Sequence, residues 1–332
     1  HMKEDYDIYI FTGDRDLGDK QAYPQIETNR WLEQDGVQIF YASPGALNWE
    51  SVLVQIRDIK PDYIYLNSMY SMCFTIYPLL MKRLGMIKAQ VVLAPRGMLK
   101  STAVQYKSGK KQLFFKTIKL LRLHKQIIFH ATDATEETDI RNLFGKDVAI
   151  KQITNFLPQQ KALQIVNKQA GVVKIIFVGR VHPIKNLSFL LACLQTITAK
   201  VRLTIVATIE DEAYWAQCKQ QIRTLPEEVE AVLMRDVPHD EIEQLIAEHH
   251  LFALPTLGEN FGHAIFEALS AGRPVLISDQ TPWLNLKEHY AGWDIPLNDE
   301  KAFVTAIEQV AEMKTKKKKK WCIGAWQYAN DY

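Results

Sequence analysis

Short apolar runs alternate with amphipathic stretches of helical length from one end of this chain to the other. That alternation restricts the fold more than any single residue does. Strands are expected at Asp7–Phe11, Val37–Tyr41, Tyr63–Leu66, Gln90–Leu93, Ile127–Phe129 and Ala149–Ile153. A second series falls at Val172–Val178, Arg202–Ala207, Glu230–Leu233, Leu251–Leu254 and Pro274–Ile277. A helical stretch follows each run, so the sheets should be parallel and covered on both faces. The pattern lapses over residues 155–171, NFLPQQKALQIVNKQAG, which includes Pro158, and resumes at Val172. A chain of 332 residues exceeds one typical core. The expectation is an α/β protein with two doubly wound domains, residues 3–160 and 161–312, and a tail of residues 313–332. Such sheets bind ligands outside the carboxyl ends of their strands, here in a cleft between the domains.

Composition narrows the class. Hydrophobic residues make up 47% and charged residues 23%, as in an ordinary soluble enzyme, and a net charge of +2 gives no case for nucleic acid. Cys73, Cys193, Cys218 and Cys322 lack CxxC spacing, which fits buried, reduced thiols in a cytoplasmic protein. His249-His250 has no metal spacing, and no metal is expected. No apolar run reaches the roughly 18 residues of a membrane span. His1-Met2 reads as an expression remnant.

Chemistry concentrates in Pro255–Pro274, PTLGENFGHAIFEALSAGRP. The buried strand Leu251–Leu254 runs into a turn with Gly258 and Gly262, and a helix opens with the pattern Ala264, Ile265, Ala268, Leu269 before Gly272 and Pro274. A Gly turn opening a helix presents backbone N–H groups and the positive end of a dipole, which suits phosphate. Glu259 and Glu267, with seven residues between them, suit hydroxyl groups because carboxylates repel anions. Phosphate donors beside hydroxyl acceptors match a nucleotide sugar.

The segment resembles the Glu-x7-Glu motif of retaining glycosyltransferases of family 4, the group 1 glycosyl transferases with the GT-B fold. The resemblance covers Tyr6 to Tyr332, more strongly after Val172. It implies two Rossmann-like domains, with Glu259 beside the donor sugar, Glu267 on the nucleotide ribose, and Asn260, Phe261, Gly262 and His263 lining the donor. It also implies an opening strand, glycine loop and helix before YDIYIFTGDRD. None is found, so the first domain is expected to lack that unit and one strand at or near the centre of its sheet.

Two further loops carry charge to the site. In KIIFVGRVHPIKNLSFLL the strand ends at Gly179, and Arg180 and Lys185 follow with four residues between them. Two cations in a strand-to-helix loop can clamp a diphosphate leaving group. The family's GR-x4-K pattern matches both, with Asn186 as expected cap of the helix Leu187–Leu194. VLAPRGMLKS resembles the PRGM subgroup. Arg96 stands where many relatives have His, and either contacts sugar, acceptor or phosphate or caps carbonyls. His130 ends the next strand as a structural or a ligand residue, with Thr132 or Asp133 capping the following helix. Arg235 and Val237 match the segment where relatives hold the base, and Pro282–Leu286 should lie near it. Asn67, Ser68 and Tyr70 are acceptor-side candidates.

In the family a C-terminal helix returns to the first domain, which Trp321, Trp326 and Tyr328 would anchor. The run Lys316–Lys320 reads as a solvated face, or as a weak peripheral contact with an anionic membrane surface. The expected activity is metal-independent retaining transfer of a sugar from a nucleotide-diphosphate donor to a glycan or lipid-linked acceptor, in surface polysaccharide or glycoconjugate synthesis. Catalytic roles fall to Glu259, Arg180 and Lys185, and donor binding to Glu267, residues 260–263, Gly179, Arg235 and Val237. No cofactor is expected beyond the co-substrate. The alternatives are a nucleotide-sugar-binding protein without transfer activity and a GT-B nucleotide-sugar epimerase.

Overall fold

A computed structural model describes residues 5–15, 21–99, 108–154, 163, 165, 168–235 and 237–331. The chain divides into two compact units between Asn155 and Phe156. Most of the expected linker, including Pro158, lies outside the described residues.

The first unit differs from the single parallel sheet expected. Strands β1 (Tyr9–Gly13), β2 (Trp31–Gln34) and β3 (Val37–Ala42) form one sheet in the order β1-β3-β2. A second, all-parallel sheet has the order β4 (Tyr63–Leu66), β5 (Gln90–Leu93), β6 (Ile127–Ala131), β7 (Ala149–Gln152). Strand β2 is antiparallel to β3, with Gln34 opposite Val37, so only Asp35 and Gly36 form the loop. Both have positive φ, 53° and 75°, as a type I′ hairpin turn requires. The Asp-Gly pair was the sequence signal for this hairpin. Val91, Leu93, Phe129 and Ile140 are fully buried or nearly so at the core. Asp133, of the two candidates, caps the helix Ala134–Phe144 by accepting from the Glu136 N–H at 2.8 Å.

The second unit is one six-stranded parallel sheet. Its order is β10 (Val229–Met234), β9 (Lys200–Val206), β8 (Val172–Val178), β11 (Leu251–Leu254), β12 (Val275–Ser278), β13 (Gly292–Ile295). Ile175, Phe177, Leu203, Phe252 and Leu276 are wholly buried, because helices cover both faces. The chain builds outward from β8 toward β10, then restarts on the other side of β8 with β11. The strand order therefore reverses between β8 and β11, and there the loops leaving the two strands diverge to open a crevice.

Two local expectations, the Asn186 cap and the solvated lysine run, are corrected, and the C-terminal helix gains its contacts. Asn186 has a left-handed backbone and makes no side-chain capping bond; the Ser188 N–H instead donates to the Tyr214 hydroxyl at 2.8 Å. In the C-terminal helix, Thr315–Asp331, two of the three expected anchors meet residues of the second unit: Trp321 stacks on Trp293 at 4.2 Å, and the Tyr328 hydroxyl donates to the Leu284 carbonyl. Gly324 permits that close approach, since a Cβ there would lie 2.3 Å from the His289 carbonyl oxygen. Lys316–Lys320 is not one solvated face. Lys318 is wholly buried, and Lys320 sits over the Tyr290 ring with its Nζ 3.4 Å from the centroid. All four cysteines are buried free thiols.

Candidate functional site

The loops leaving β8 and β11 are tied together, which puts their charged residues side by side. The Leu257 N–H donates to the Ile184 carbonyl at 2.7 Å, and the Thr256 hydroxyl donates to the same oxygen at 2.9 Å. The Glu259 N–H donates to the Gln280 carbonyl beyond β12 at 3.1 Å. With both loops held, Lys185 Nζ lies 2.6 Å from Glu259 Oε1, and both side chains are largely sheltered. Gly179 ends β8 with its N–H on the Val206 carbonyl, and His182 steadies the loop by accepting the Ile184 N–H at its Nδ1.

Gly262 starts the helix His263–Ser270 from a left-handed conformation, φ 80°, and no side chain caps its first turn. A Cβ there would approach Ile265 Cδ1 to 2.9 Å, so backbone and packing both favour glycine. Phe261 is buried with its ring 5.2 Å from that of Trp283, whose indole N–H donates to the Phe261 carbonyl. Half-buried Asn260 thus sits on a turn fixed from both sides. His263 is exposed, its ring 4.9 Å from Phe261. Glu267 follows one turn later, partly sheltered, and its Oε1 is 4.0 Å from Nε2 of His239.

The structure separates Arg180 from this group. Its guanidinium is 57% exposed and pairs with Glu210 rather than with Glu259. Arg235 is exposed, and Val237 packs partly buried against the core; Asp236 between them lies outside the described residues. Pro282–Leu286 has a structural part: Trp283 and Leu286 are wholly buried, and Asp294 accepts the Asn285 and Leu286 N–H groups at 2.9 and 3.0 Å. Sequence reasoning missed Glu210, Gln280, Thr256 and His239. Glu210 and Thr256 meet partners 30 and 72 residues away, and Gln280 and His239 meet Glu259 and Glu267 across more than 20 residues, so no spacing rule reaches them.

In the first unit Arg96 and His130 join through Tyr65. Arg96 Nη2 donates to the Tyr65 hydroxyl at 3.1 Å, that hydroxyl donates to His130 Nδ1, and His130 Nε2 donates to the Ile153 carbonyl at 2.7 Å. His130 is buried, and its two ring nitrogens bridge the Tyr65 hydroxyl to the Ile153 carbonyl. Burial pushes the Tyr65 hydroxyl pKa up, against the opposing pull of Arg96. The turn below is held by Glu136, which takes the Gly97 N–H at 2.6 Å on one oxygen and the Thr132 N–H and hydroxyl at 2.8 Å on the other. Tyr70 donates to the Met98 carbonyl, and burial pushes its pKa up to about 12. Ser68 accepts the Thr75 hydroxyl at its carbonyl, and Asn67 is exposed.

No group of three or more His, Cys, Asp or Glu suited to a metal occurs among the described residues. His249 bonds the Leu245 carbonyl and the Thr204 hydroxyl, and His250 accepts the Lys174 N–H; both are buried.

Residues 172–313 match the family described as glycosyl transferases group 1. Sulfoquinovosyl transferase SQD2 of Arabidopsis thaliana is 27% identical over 147 residues, 44% of this chain and 27% of that protein, so the match spans about a quarter of the relative's length. Among solved structures, sucrose-phosphate synthase from Thermosynechococcus elongatus superposes with a TM-score of 0.69 at 15% identity, covering 97% of this chain and 84% of that one. Anabaena HepE in complex with UDP and glucose gives 0.66 at 16% identity, over 89% and 82%. This chain therefore shares the fold of GT-B glycosyltransferases, and its residues 172–313 are similar to the glycosyl transferases group 1 family.

Proposed function

We propose that this protein is a retaining glycosyltransferase that moves a sugar from a nucleotide-diphosphate donor to a glycan or lipid-linked acceptor, in surface polysaccharide or glycoconjugate synthesis. The observation that carries the reading is the meeting of Lys185 and Glu259 on two tied loops where the strand order reverses, beside an uncapped helix start. Lys185 and Arg180 neutralise the diphosphate as charge develops on the leaving oxygen, Lys as a point charge and Arg as a fork. Glu267 accepts from the ribose hydroxyls, and Glu259 orients the sugar. These groups serve the leaving phosphate with side-chain cations and backbone N–H donors, so the reaction proceeds without a metal.

In the reaction the acceptor oxygen forms a bond to the anomeric carbon on the face from which the diphosphate departs. The bond from that carbon to the phosphate oxygen breaks, the leaving group keeps its electron pair, and a phosphate oxygen takes the acceptor's proton. The Lys185–Glu259 pair readies this step. On donor binding a phosphate oxygen competes for Lys185, and the carboxylate it releases turns to the sugar hydroxyls.

The test is incubation with a panel of nucleotide sugars and an acceptor mixture, reading released nucleoside diphosphate and the anomeric configuration of the product by NMR. Release with an α product from an α donor supports the proposal. Binding of donors without turnover or hydrolysis points to the non-transferring alternative, and an inverted product rules out retention.

A further inference from the structure

Charge is distributed unevenly along this chain. Between Tyr63 and Thr132 there are 12 Lys and Arg residues and no Asp or Glu, while the remaining residues, with 28 Lys and Arg against 38 Asp and Glu, carry −10. The overall +2 conceals this contrast. The helix Ser108–Leu120 lies in the basic stretch and buries Phe115 and Ile118. Its outer face carries Leu113, Lys116 and Leu120 at i, i+3 and i+7, so they form one stripe. Leu113 is 67% and Leu120 82% exposed, and Lys119, Leu121, Arg122 and Lys125 continue the exposed surface. A second element joins it: Arg83 Nε donates to the Leu121 carbonyl at 3.2 Å, which brings Leu84, 66% exposed, to the same edge.

Exposed leucines set among cations with no interleaved carboxylate are costly in water. They fit a surface that is anionic outside and apolar just beneath. We propose that this face of the first unit, built on Leu113–Arg122 with Arg83 and Leu84, docks on an anionic phospholipid bilayer. The leucines enter the headgroup–acyl boundary, and the lysines and arginines pair with lipid phosphates. The occupant is a bilayer rather than an extended polyanion because the most exposed side chains on the stripe are leucines, which no phosphate chain would cover. The inference is independent of the donor-site reading and moves the membrane contact away from Lys316–Lys320, where Lys318 and Lys320 are otherwise engaged. No helix among the described residues is long and apolar enough to cross a membrane, so the contact is peripheral.

The experiment is sedimentation of the full chain with vesicles of phosphatidylcholine alone or with about 30 mol% phosphatidylglycerol, at about 0.1 M salt. The wild type should bind only the anionic vesicles. The triple variant K116E/K119E/R122E should lose at least about 100-fold in affinity, since each basic residue contributes roughly 5-fold. Leu120→Ser, on an exposed side chain that folding does not use, should lose several-fold. K316E/K317E/K319E should bind like the wild type. Absence of anionic binding, equal binding to phosphatidylcholine, or unchanged binding by both helix variants would overturn the proposal. So would retention on heparin without vesicle binding, which would make the partner an acidic polymer.

Discussion

Lys185 Nζ lies 2.6 Å from Glu259 Oε1, joining the loop after Val172–Val178 to the loop after Leu251–Leu254. Both side chains are largely sheltered, so each leaves an under-compensated charge when the other is removed. Lys185→Ala should cut kcat about 10²- to 10³-fold by removing a donor to the leaving phosphate. Glu259→Gln should cost less in nucleoside diphosphate affinity than in turnover. In a double-mutant cycle on stability, the pair should couple by about 1 to 3 kcal/mol. Additive single effects would mean that the two side chains act separately.

In the proposed function Glu267 accepts from the ribose hydroxyls. Glu267→Ala should therefore weaken nucleoside diphosphate binding about 10- to 100-fold. The 2′-deoxynucleotide should bind the wild type less tightly and the variant equally well. A variant that still discriminates the deoxynucleotide would place the ribose elsewhere.

Arg180 is exposed and engaged by Glu210, a pair worth under about 1 kcal/mol. If Arg180 serves the diphosphate as proposed, the Glu210 carboxylate competes with it for the guanidinium. Glu210→Ala should raise nucleoside diphosphate affinity about 2- to 5-fold, while Arg180→Ala lowers it, each measured by titration calorimetry. The gain should shrink as salt rises.

Lys318 is wholly buried, and burial pulls its pKa down to about 8; Lys168 is held down to about 8 by the same cause. In the unfolded chain these amines titrate near the ordinary lysine value, so between about pH 8 and 10 the unfolded state binds more protons than the folded one. Their contribution to stability therefore rises with pH across that window and is a penalty below it. Lys318→Met should raise Tm at pH 7 by a few degrees and flatten the Tm difference between pH 8 and 10. Comparison with the wild type at each pH removes the buried tyrosines and the thiols of Cys73, Cys193 and Cys218 from the difference, while Cys322, whose thiol feels the Lys318 charge, is removed by making the comparison in a Cys322→Ala background.

The sequence patterns located most strands of the second unit because buried parallel strands such as IIFV and LFAL read as unbroken apolar runs. They also located the two loops that hold Lys185 and Glu259, because glycine marks the turns that end those strands. Gly292–Ile295 escaped because GWDI is a short edge strand with an acid in it. Trp31–Gln34 escaped because WLEQ is half polar, although Asp35-Gly36 marked its turn. The engagement of Arg180 by Glu210 depends on sheet packing rather than local pattern. Burial of Lys318 within a run of five lysines is likewise invisible locally, since only the packing of the C-terminal helix tells it from its neighbours.

The central claim is that the tied loops around Lys185 and Glu259, with the helix start at Gly262, hold the diphosphate of a nucleotide sugar. Titration calorimetry with UDP, GDP and ADP in the presence of EDTA tests it most directly. The account predicts that at least one of them binds the wild type in the micromolar range, and that Lys185→Ala weakens that binding at least about 10-fold. Binding of none of the three, or equal binding to wild type and Lys185→Ala, would contradict it.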